Sequence, residues 1–285
     1  MYYAKAPGKL FLFGEYAVLH GEYAIVCPVP YFIHVQLTPR DDDKISIDSN
    51  IGQFSTDLAH LELLDSRFDF VIAVIQQWRP LFKQGLSLQI TSEFSSTVGF
   101  GSSGAVIAAV AKALNQWLPQ ANDLLELFKI AKKALLAVQK KGSGADVATS
   151  LFAQTIAFRS EPLEIIPLQH EPPLIAKYSG YKTATVDAID QIAKKMQADP
   201  NKYPKIYSAI GKCSQQAIIA INQADWPQVA VLMRENQRYL NDLGVNDATM
   251  QQLIDELQAQ PDILAAKISG SGLGDCVVGL CKHKK

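Results

Sequence analysis

Hydrophobic and polar residues follow two kinds of pattern in the N-terminal half of the chain. The runs LFLFGEYAVL and YAIVCPVPYFIHVQL are rich in β-forming residues and predict hairpin strands that break at Gly14, Gly21 and Pro28. The stretches DDDKISIDS and LSLQITSEF alternate polar with apolar residues, which also predicts strands. Apolar residues recur at helical spacing in LDSRFDFVIAVIQQWRPLF, so a helix is expected there.

Further helices and strands are predicted along the rest of the chain. SSGAVIAAVAKALNQWL and NDLLELFKIAKKALLAVQ predict two successive helices, the second capped by Asn122, whereas VATSLFAQTIAF fits either helix or strand. Residues 159–173 carry four prolines and no helical periodicity, so we expect a linker there. Beyond it we expect a strand in LIAKYSG, closing strands in LAAKISG and CVVGLC, and helices around residues 184–197, 205–222, 226–243 and 247–260. The absence of regular β-α-β alternation predicts an α+β protein with two domains, 1–160 and 161–285.

Composition narrows the classes of function. The 285 residues include 27 basic and 28 acidic side chains, and no basic run is interleaved with aromatic residues, so no nucleic-acid partner is expected. Glu15 interrupts the apolar N-terminus, and Lys112 interrupts the longest helical apolar stretch, so we expect a cytoplasmic protein without a membrane partner. The four cysteines form no C-x-x-C pair, which predicts buried free thiols. The five histidines form no metal-binding motif.

The stretch TVGFGSSGAV, residues 97–106, contains G-x-G-x-x-G at Gly99, Gly101 and Gly104. A dinucleotide site would need a β-α-β unit with an acidic residue ending the next strand, but here a second helix follows the first. The P-loop pattern is also absent, because APGKL lacks its first glycine and its final hydroxyl. Ser102 and Ser103 nevertheless follow the turn at a helix N-terminus, where phosphate oxygens or Mg²⁺ could bind. Alternatively, the glycine turn only caps the helix and binds no phosphate or metal.

Three other stretches are rich in small residues: KAPGKLFLFGEYAVLHG, KKGSGADVATS and KISGSGLGDCVVGL. Together with the glycine turn they resemble the GHMP kinase superfamily of small-molecule kinases. Its P-G-K-x-x-L-x-G-E-[HY], G-L-G-S-S-[AG]-[AS] and [ST]-G-[AS]-G-x-G-[DGC] motifs are matched at residues 7–16, 99–105 and 269–275. The resemblance implies a two-domain α+β fold, with an N-terminal β-α-β phosphate-loop domain and a C-terminal ferredoxin-like α/β sandwich domain.

The resemblance also implies roles for single residues. Lys9 would neutralise charge near the transferred phosphoryl group, and Asp146 would accept the acceptor's proton or orient the acceptor. Ser103 would contact Mg²⁺. The phosphates of ATP would bind Gly99, Gly101, Ser102, Ser103 and Gly104, and the remaining pocket residues would be Glu15, Ser143, Gly144, Ser269, Gly270, Ser271 and Gly272. Without the resemblance, Lys9 is a surface turn lysine and Asp146 a helix N-cap.

Different motifs favour different molecules as the acceptor of the phosphoryl group. GEYAVL, GSGADVATS and SGSGLGDC resemble phosphomevalonate kinases, and Leu135 stands where mevalonate kinases carry a metal-binding glutamate. ENQRYLNDLGV and the short chain resemble mevalonate kinases instead. We therefore expect an ATP-dependent kinase for phosphomevalonate. The alternatives are a mevalonate kinase, another small-molecule kinase of the superfamily, or a non-catalytic nucleotide-binding protein with the same fold. The sequence does not predict the oligomeric state.

Overall fold

The structure is a computed structural model that describes residues 1–64, 66–118 and 123–283. Its contacts divide the chain into two compact units. The first contains residues 1–9, 28–96 and 100–153, and the second contains residues 10–27, 97–99 and 154–285. Each unit therefore draws on separate segments of the sequence, and the domain limits 1–160 and 161–285 stay a prediction.

Strand β1 (Tyr2–Phe13) pairs with β2 (Ala24–Pro39), and each of these strands contributes residues to both units. In the first unit the strands follow the order β4-β3-β5-β2, with β3 (Lys44–Ser49), β4 (Gly52–Asp57) and β5 (Leu86–Ser92). β3 runs antiparallel to β4 and parallel to β5, with Ile47 opposite Leu88. The parallel pair requires a crossover connection, which contains α1 (Asp69–Trp78).

Three more helices complete the first unit: α2 (Ser102–Trp117), α3 (Leu124–Gln139) and α4 (Ala145–Phe152). α2 packs against α1, α3 and α4. Its Ala108, Ala109 and Ala111 are completely buried, and such small side chains allow neighbouring helices to approach closely. Asn122 lies outside the described residues, and the side chain of Asp123 caps α3 by accepting a hydrogen bond from the Glu126 N–H at 2.9 Å.

The second unit contains two sets of paired strands. β2 pairs with β6 (Ile156–Ser160), which pairs antiparallel with β7 (Leu163–Pro167). A separate antiparallel sheet has the order β8-β10-β9, formed by β8 (Leu174–Tyr178), β9 (Ile263–Ser269) and β10 (Cys276–Cys281). Between β8 and β9 run the helices α5 (Thr185–Ala198), α6 (Lys202–Asn222), α7 (Trp226–Leu243) and α8 (Ala248–Gln258).

Two expectations based on proline are wrong. Residues 159–173 are not a linker, because β6 and β7 form a hairpin there, with Pro162 at its turn and Pro167 at its end. β2 does not break at Pro28, which lies between the residues paired with β6 and those paired with β5. Proline is tolerated at both kinds of position because no ladder hydrogen bond from its nitrogen is needed.

The other elements largely agree with the expectations. The α+β class is confirmed, VATSLFAQTIAF divides into the end of α4 and the start of β6, and β4 is an additional strand. All four cysteines are buried and form no disulfide among the described residues, as predicted. In the described part of the chain, we find no helix with the length and apolar character needed to span a membrane.

Candidate active site

The start of α2 holds Lys9 in the first unit. Gly101 is the residue before the helix and has a φ of 68°, which favours glycine. A Cβ at this position would lie 2.5 Å from Cε of Lys9, so the lysine stem crosses directly over Gly101. The Lys9 N–H also donates to the carbonyl of Phe100 at 2.8 Å. Lys9 is therefore a buried residue packed at the beginning of α2, not a lysine of a surface turn.

Asp146 approaches the same end of α2 from α4. Gly144 precedes α4 with a φ of 85°, and Oγ of Ser143 accepts a hydrogen bond from the Ala145 N–H at 3.2 Å. These two residues shape the start of the helix and place Asp146 in its first turn. A Cβ on Gly104 would lie 3.0 Å from Oδ2 of Asp146, so the carboxylate rests against the first turn of α2. Asp146 is not the N-cap of α4, which is Gly144.

A cavity of about 740 Å³ extends from Ser102 and Ser103 within the first unit. Sequence reasoning did not predict it, because its walls come from several strands, α1 and loops that share no motif. Its polar wall residues include Asn50, Arg67 and Ser92. Its apolar wall residues are Ile33, Ile51, Phe68, Phe70, Val71, Ile90, Phe94 and Val106. Polar residues, among them the acidic Glu93, are as numerous on the walls as apolar ones. The aromatic side chains and the helix N-terminus suit a ligand with an aromatic part and an anionic part.

We call residues 269–275, in the second unit, the C-terminal glycine loop. Gly270, Gly272 and Gly274 all have positive φ, with values of 92°, 65° and 106°. At Gly272 a Cβ would lie 2.4 Å from the carbonyl oxygen of Val245, so only glycine fits. Ser269 is buried at the end of β9, where the loop begins.

The C-terminal glycine loop lies against Gly99. A Cβ on Gly99 would be 1.7 Å from Oδ1 of Asp275, and the Cys276 thiol donates to the carbonyl of Val98 at 3.1 Å. Within the second unit, the first glycine of the G-x-G-x-x-G turn therefore contacts the third sequence motif. This contact explains why position 99 is occupied by glycine.

Glu15 forms a buried ion pair that the sequence did not indicate. Its Oε1 accepts a hydrogen bond from Nζ of Lys267 at 2.5 Å, and their side chains are only 2% and 0% exposed. Burial lowers the pKa of Lys267, while the charge and hydrogen bond of Glu15 oppose that shift. Glu15 thus anchors β9 just before the C-terminal glycine loop. The only signal for Lys267 is a lysine within the apolar stretch LAAKISG.

Tyr16, the next residue, contacts the C-terminal glycine loop directly. Its hydroxyl donates to the carbonyl of Ser271 at 2.5 Å. Burial raises the pKa of Tyr16, as do the charges of Tyr207 and Glu15 to a smaller extent, so the hydroxyl keeps the proton that it donates.

Magnesium is the metal that the resemblance implies, and the first unit offers oxygen ligands for it. The described residues contain no group of three or more histidine, cysteine or acidic side chains that could hold a metal. Mg²⁺ does not need one, because it keeps several waters and binds one or two protein ligands together with substrate phosphates. Ser103 and Asp146 provide a hydroxyl and a carboxylate at the same end of α2, which fits this mode of binding. The buried Leu135 contributes no ligand.

Comparisons with known proteins identify the family of the chain. Residues 69–154 match the family model described as GHMP kinases N terminal domain, and residues 217–285 match GHMP kinases C terminal. The chain belongs to the GHMP kinase family. It is therefore an ATP-dependent phosphotransferase of that family, and its predicted two-domain GHMP fold is confirmed.

Individual relatives match nearly the whole chain. The mevalonate kinase of Archaeoglobus fulgidus is 29% identical over 283 residues, which cover 99% of this chain and 93% of the relative. The crystal structure of a Lin0012 protein from Listeria innocua has a TM-score of 0.89 at 25% identity, and the match covers 99% and 91% of the two chains. Phosphomevalonate kinase of Streptococcus pneumoniae, in complex with phosphomevalonate and AMPPNP, has a TM-score of 0.83 at 21% identity, with 99% and 93% covered.

Proposed function

We propose that this GHMP kinase transfers the γ-phosphoryl group of ATP to the hydroxyl group of mevalonate. The observation that carries the proposal is the similarity to a mevalonate kinase over 99% of the chain. The sequence motifs led us to expect phosphomevalonate, and the comparisons favour the alternative. The phosphomevalonate kinase structure, at 21% identity, supports the shared fold alone.

ATP would bind in the first unit with its phosphates at the start of α2. The backbone N–H groups at Ser102, Ser103 and Gly104 are not used by the helix itself, and the positive end of the helix dipole favours anions. The base and ribose would then occupy the cavity of about 740 Å³ that begins at Ser102 and Ser103. Its apolar residues suit the faces of an aromatic base, and Asn50 and Arg67 are among the polar residues that line it.

Lys9 and Asp146 would carry out the chemistry at this helix end. The hydroxyl of mevalonate is a very weak acid, so its attack is helped by a carboxylate that accepts the proton, and Asp146 would be that carboxylate. The ammonium group of Lys9 would stabilise the charge on the transferred phosphoryl group. Mg²⁺, held by Ser103 and Asp146 together with the phosphates of ATP, would supply further neutralisation of charge.

Changing Ser103 to Ala tests the assignment of the phosphate site. We expect kcat to fall by about 100-fold or more, because a hydroxyl that contacts phosphate and metal is lost. Ser55→Ala is the matched control, since Ser55 is an exposed serine of β4 in the same unit. Steady-state kinetics and the melting temperature should be measured for both variants. If Ser103→Ala and Ser55→Ala turn over ATP equally fast, Ser103 has no role in transfer.

The choice of acceptor is tested by ADP release with mevalonate and with phosphomevalonate in separate reactions. We expect kcat/KM to be higher for mevalonate by at least a factor of about 100, because a site that lacks the right polar partners discriminates strongly between such acceptors. A non-catalytic nucleotide-binding protein would show a melting temperature raised by ATP but no ADP release with either compound. A higher kcat/KM for phosphomevalonate would restore our first expectation.

A further inference from the structure

Glu93 brings a negative charge to the wall of the cavity that we assign to ATP. It directly follows β5 and lines the cavity together with Ser92 and Phe94. ATP is itself an anion, and like charges placed together in a binding site oppose binding. A carboxylate on this wall is therefore unfavourable unless it faces groups of the nucleotide that donate hydrogen bonds to it.

The carboxylate of Glu93 is held in place by two groups on β2. Its Oε1 lies 2.8 Å from Nε2 of His34, and its Oε2 accepts a hydrogen bond from the Phe32 N–H at 2.9 Å. The Glu93 N–H in turn donates to the carbonyl of Phe32 at 3.0 Å. The backbone and the side chain of Glu93 are thus both fixed to β2, which gives the carboxylate a defined orientation.

His34 is oriented by a partner on its other side, since the Tyr3 hydroxyl forms a hydrogen bond with Nδ1 of the ring. An ionised carboxylate only accepts hydrogen bonds, so Nε2 carries the proton of a neutral imidazole and Nδ1 accepts from Tyr3. The hydrogen bond with His34 lowers the pKa of Glu93, and the Phe32 N–H lowers it further. Glu93 therefore stays ionised at neutral pH.

Both carboxylate oxygens of Glu93 can accept further hydrogen bonds. An ionised carboxylate has about four acceptor positions on its two oxygens, and the groups on β2 use one position on each oxygen. The side chain of Glu93 is 43% exposed, so the other positions are open to a ligand.

The sugar of ATP matches these acceptors better than the base does. The 2′- and 3′-hydroxyl groups of a ribose are adjacent and can both donate, one to each carboxylate oxygen. The amino edge of adenine presents a donor beside a ring nitrogen that accepts, so one carboxylate oxygen would face another acceptor. An amide, which has a donor and an acceptor, suits that edge instead, and Asn50 lines the same cavity.

We propose that Glu93 is a specificity residue for the nucleotide: its carboxylate, fixed by His34 and Phe32, accepts hydrogen bonds from the 2′- and 3′-hydroxyl groups of the ribose of ATP. This inference rests on the proposed function for the location of ATP in the cavity. Nucleotide binding can be measured without any acceptor, which keeps the two proposals separable.

The analogue 2′,3′-dideoxy-ATP lacks both hydroxyl groups and tests the inference by calorimetry in the presence of Mg²⁺. We expect the wild type to bind ATP at least about tenfold more tightly than the analogue, as for hydrogen bonds to a charged group. Glu93→Ala should bind the two nucleotides within about twofold of each other, and it should bind the analogue as the wild type does. Glu126→Ala, which removes an exposed carboxylate from α3, should keep the wild-type preference.

Two results of this comparison would overturn the inference. One is a wild type that binds ATP and the analogue equally well, and the other is a Glu93→Ala variant that binds both more weakly by the same factor, as general damage to the site would cause. ITP, which carries an oxygen in place of the 6-amino group, tests the base. Its affinity relative to ATP should change in Glu93→Ala only through the lost ribose contact, which both nucleotides share, so the ratio should stay constant. A changed ratio would place Glu93 against the base and overturn the inference.

His34→Phe removes the group that fixes Oε1 but leaves the carboxylate, so the preference for ATP over the analogue should fall by about threefold. An unchanged preference would overturn the positioning role of His34. In the kinase assay, the effect of Glu93→Ala should appear in KM for ATP rather than in kcat, because the ribose takes no part in the transfer. If the wild type does not phosphorylate mevalonate, the proposed function fails, and the calorimetric comparison still decides the role of Glu93.

Discussion

Asp146→Asn is expected to lower kcat with mevalonate by about 10²- to 10⁴-fold, which is the usual contribution of a general base. Asparagine has the same shape and fits against Gly104 in the same way, but it cannot accept the proton of the hydroxyl. The melting temperature should stay close to that of the wild type, because Asp146 is half-buried and lies in the first turn of a short helix. Single-turnover measurements of phosphoryl transfer would separate this loss from any change in binding.

Asp123→Asn is the matched control for that experiment. Asp123 caps α3 in the same unit, and asparagine is an equally good N-cap, so both stability and turnover should be retained. Turnover by Asp146→Asn at the rate of Asp123→Asn would rule out a proton acceptor at position 146. Asp146 would then serve only to orient the acceptor or the metal.

Lys9→Met is expected to lower kcat/KM by about 10²- to 10³-fold, because one preorganised positive charge near the transferred phosphoryl group is removed. Methionine retains most of the aliphatic stem that crosses Gly101, so the packing at the start of α2 should survive. The loss should appear chiefly in kcat, since the charge develops on the way to the transition state.

Lys133→Met controls for the loss of a positive charge from the same unit, because Lys133 is exposed on α3. Its kinetics should match those of the wild type. If Lys9→Met retains wild-type kcat/KM, the buried lysine has a structural role in packing against Gly101. A large fall in melting temperature together with normal kcat would support that same structural role.

The local patterns of the sequence were sufficient to predict most of the elements. Helical spacing predicted α1, and helix start and stop signals predicted α2 and α3. Alternation predicted β3 and β5, which bury every second residue over most of their length. The effect of proline was predicted wrongly, because it depends on whether a neighbouring strand needs a hydrogen bond from a backbone N–H at that position, which proline lacks. That information is absent from the local sequence. β2 pairs with the distant strands β5 and β6 on either side of Pro28, whereas the β6–β7 hairpin is a local pairing around Pro162.

The site was predicted in part for a similar reason. Glycines with positive φ or close neighbours leave a pattern in the sequence, and this is why the turn near Gly101 and the C-terminal glycine loop could be located. The pair of Glu15 and Lys267 is separated by 252 positions, and the walls of the large cavity come from several elements. Neither leaves a local motif. The motifs did not identify the acceptor correctly, because short stretches such as GEYAVL and GSGADVATS do not report the shape of a pocket.

The most direct test of the account offers the enzyme equal concentrations of mevalonate and phosphomevalonate with limiting Mg²⁺–ATP and follows the products by ³¹P NMR. We predict that the phosphomonoester formed from mevalonate accumulates first, with one equivalent of ADP for each phosphoryl group transferred. The Asp146→Asn variant should form this product at a rate lower by about 10²-fold or more. Early formation of a diphosphate from phosphomevalonate, with mevalonate left unchanged, would contradict the proposed function.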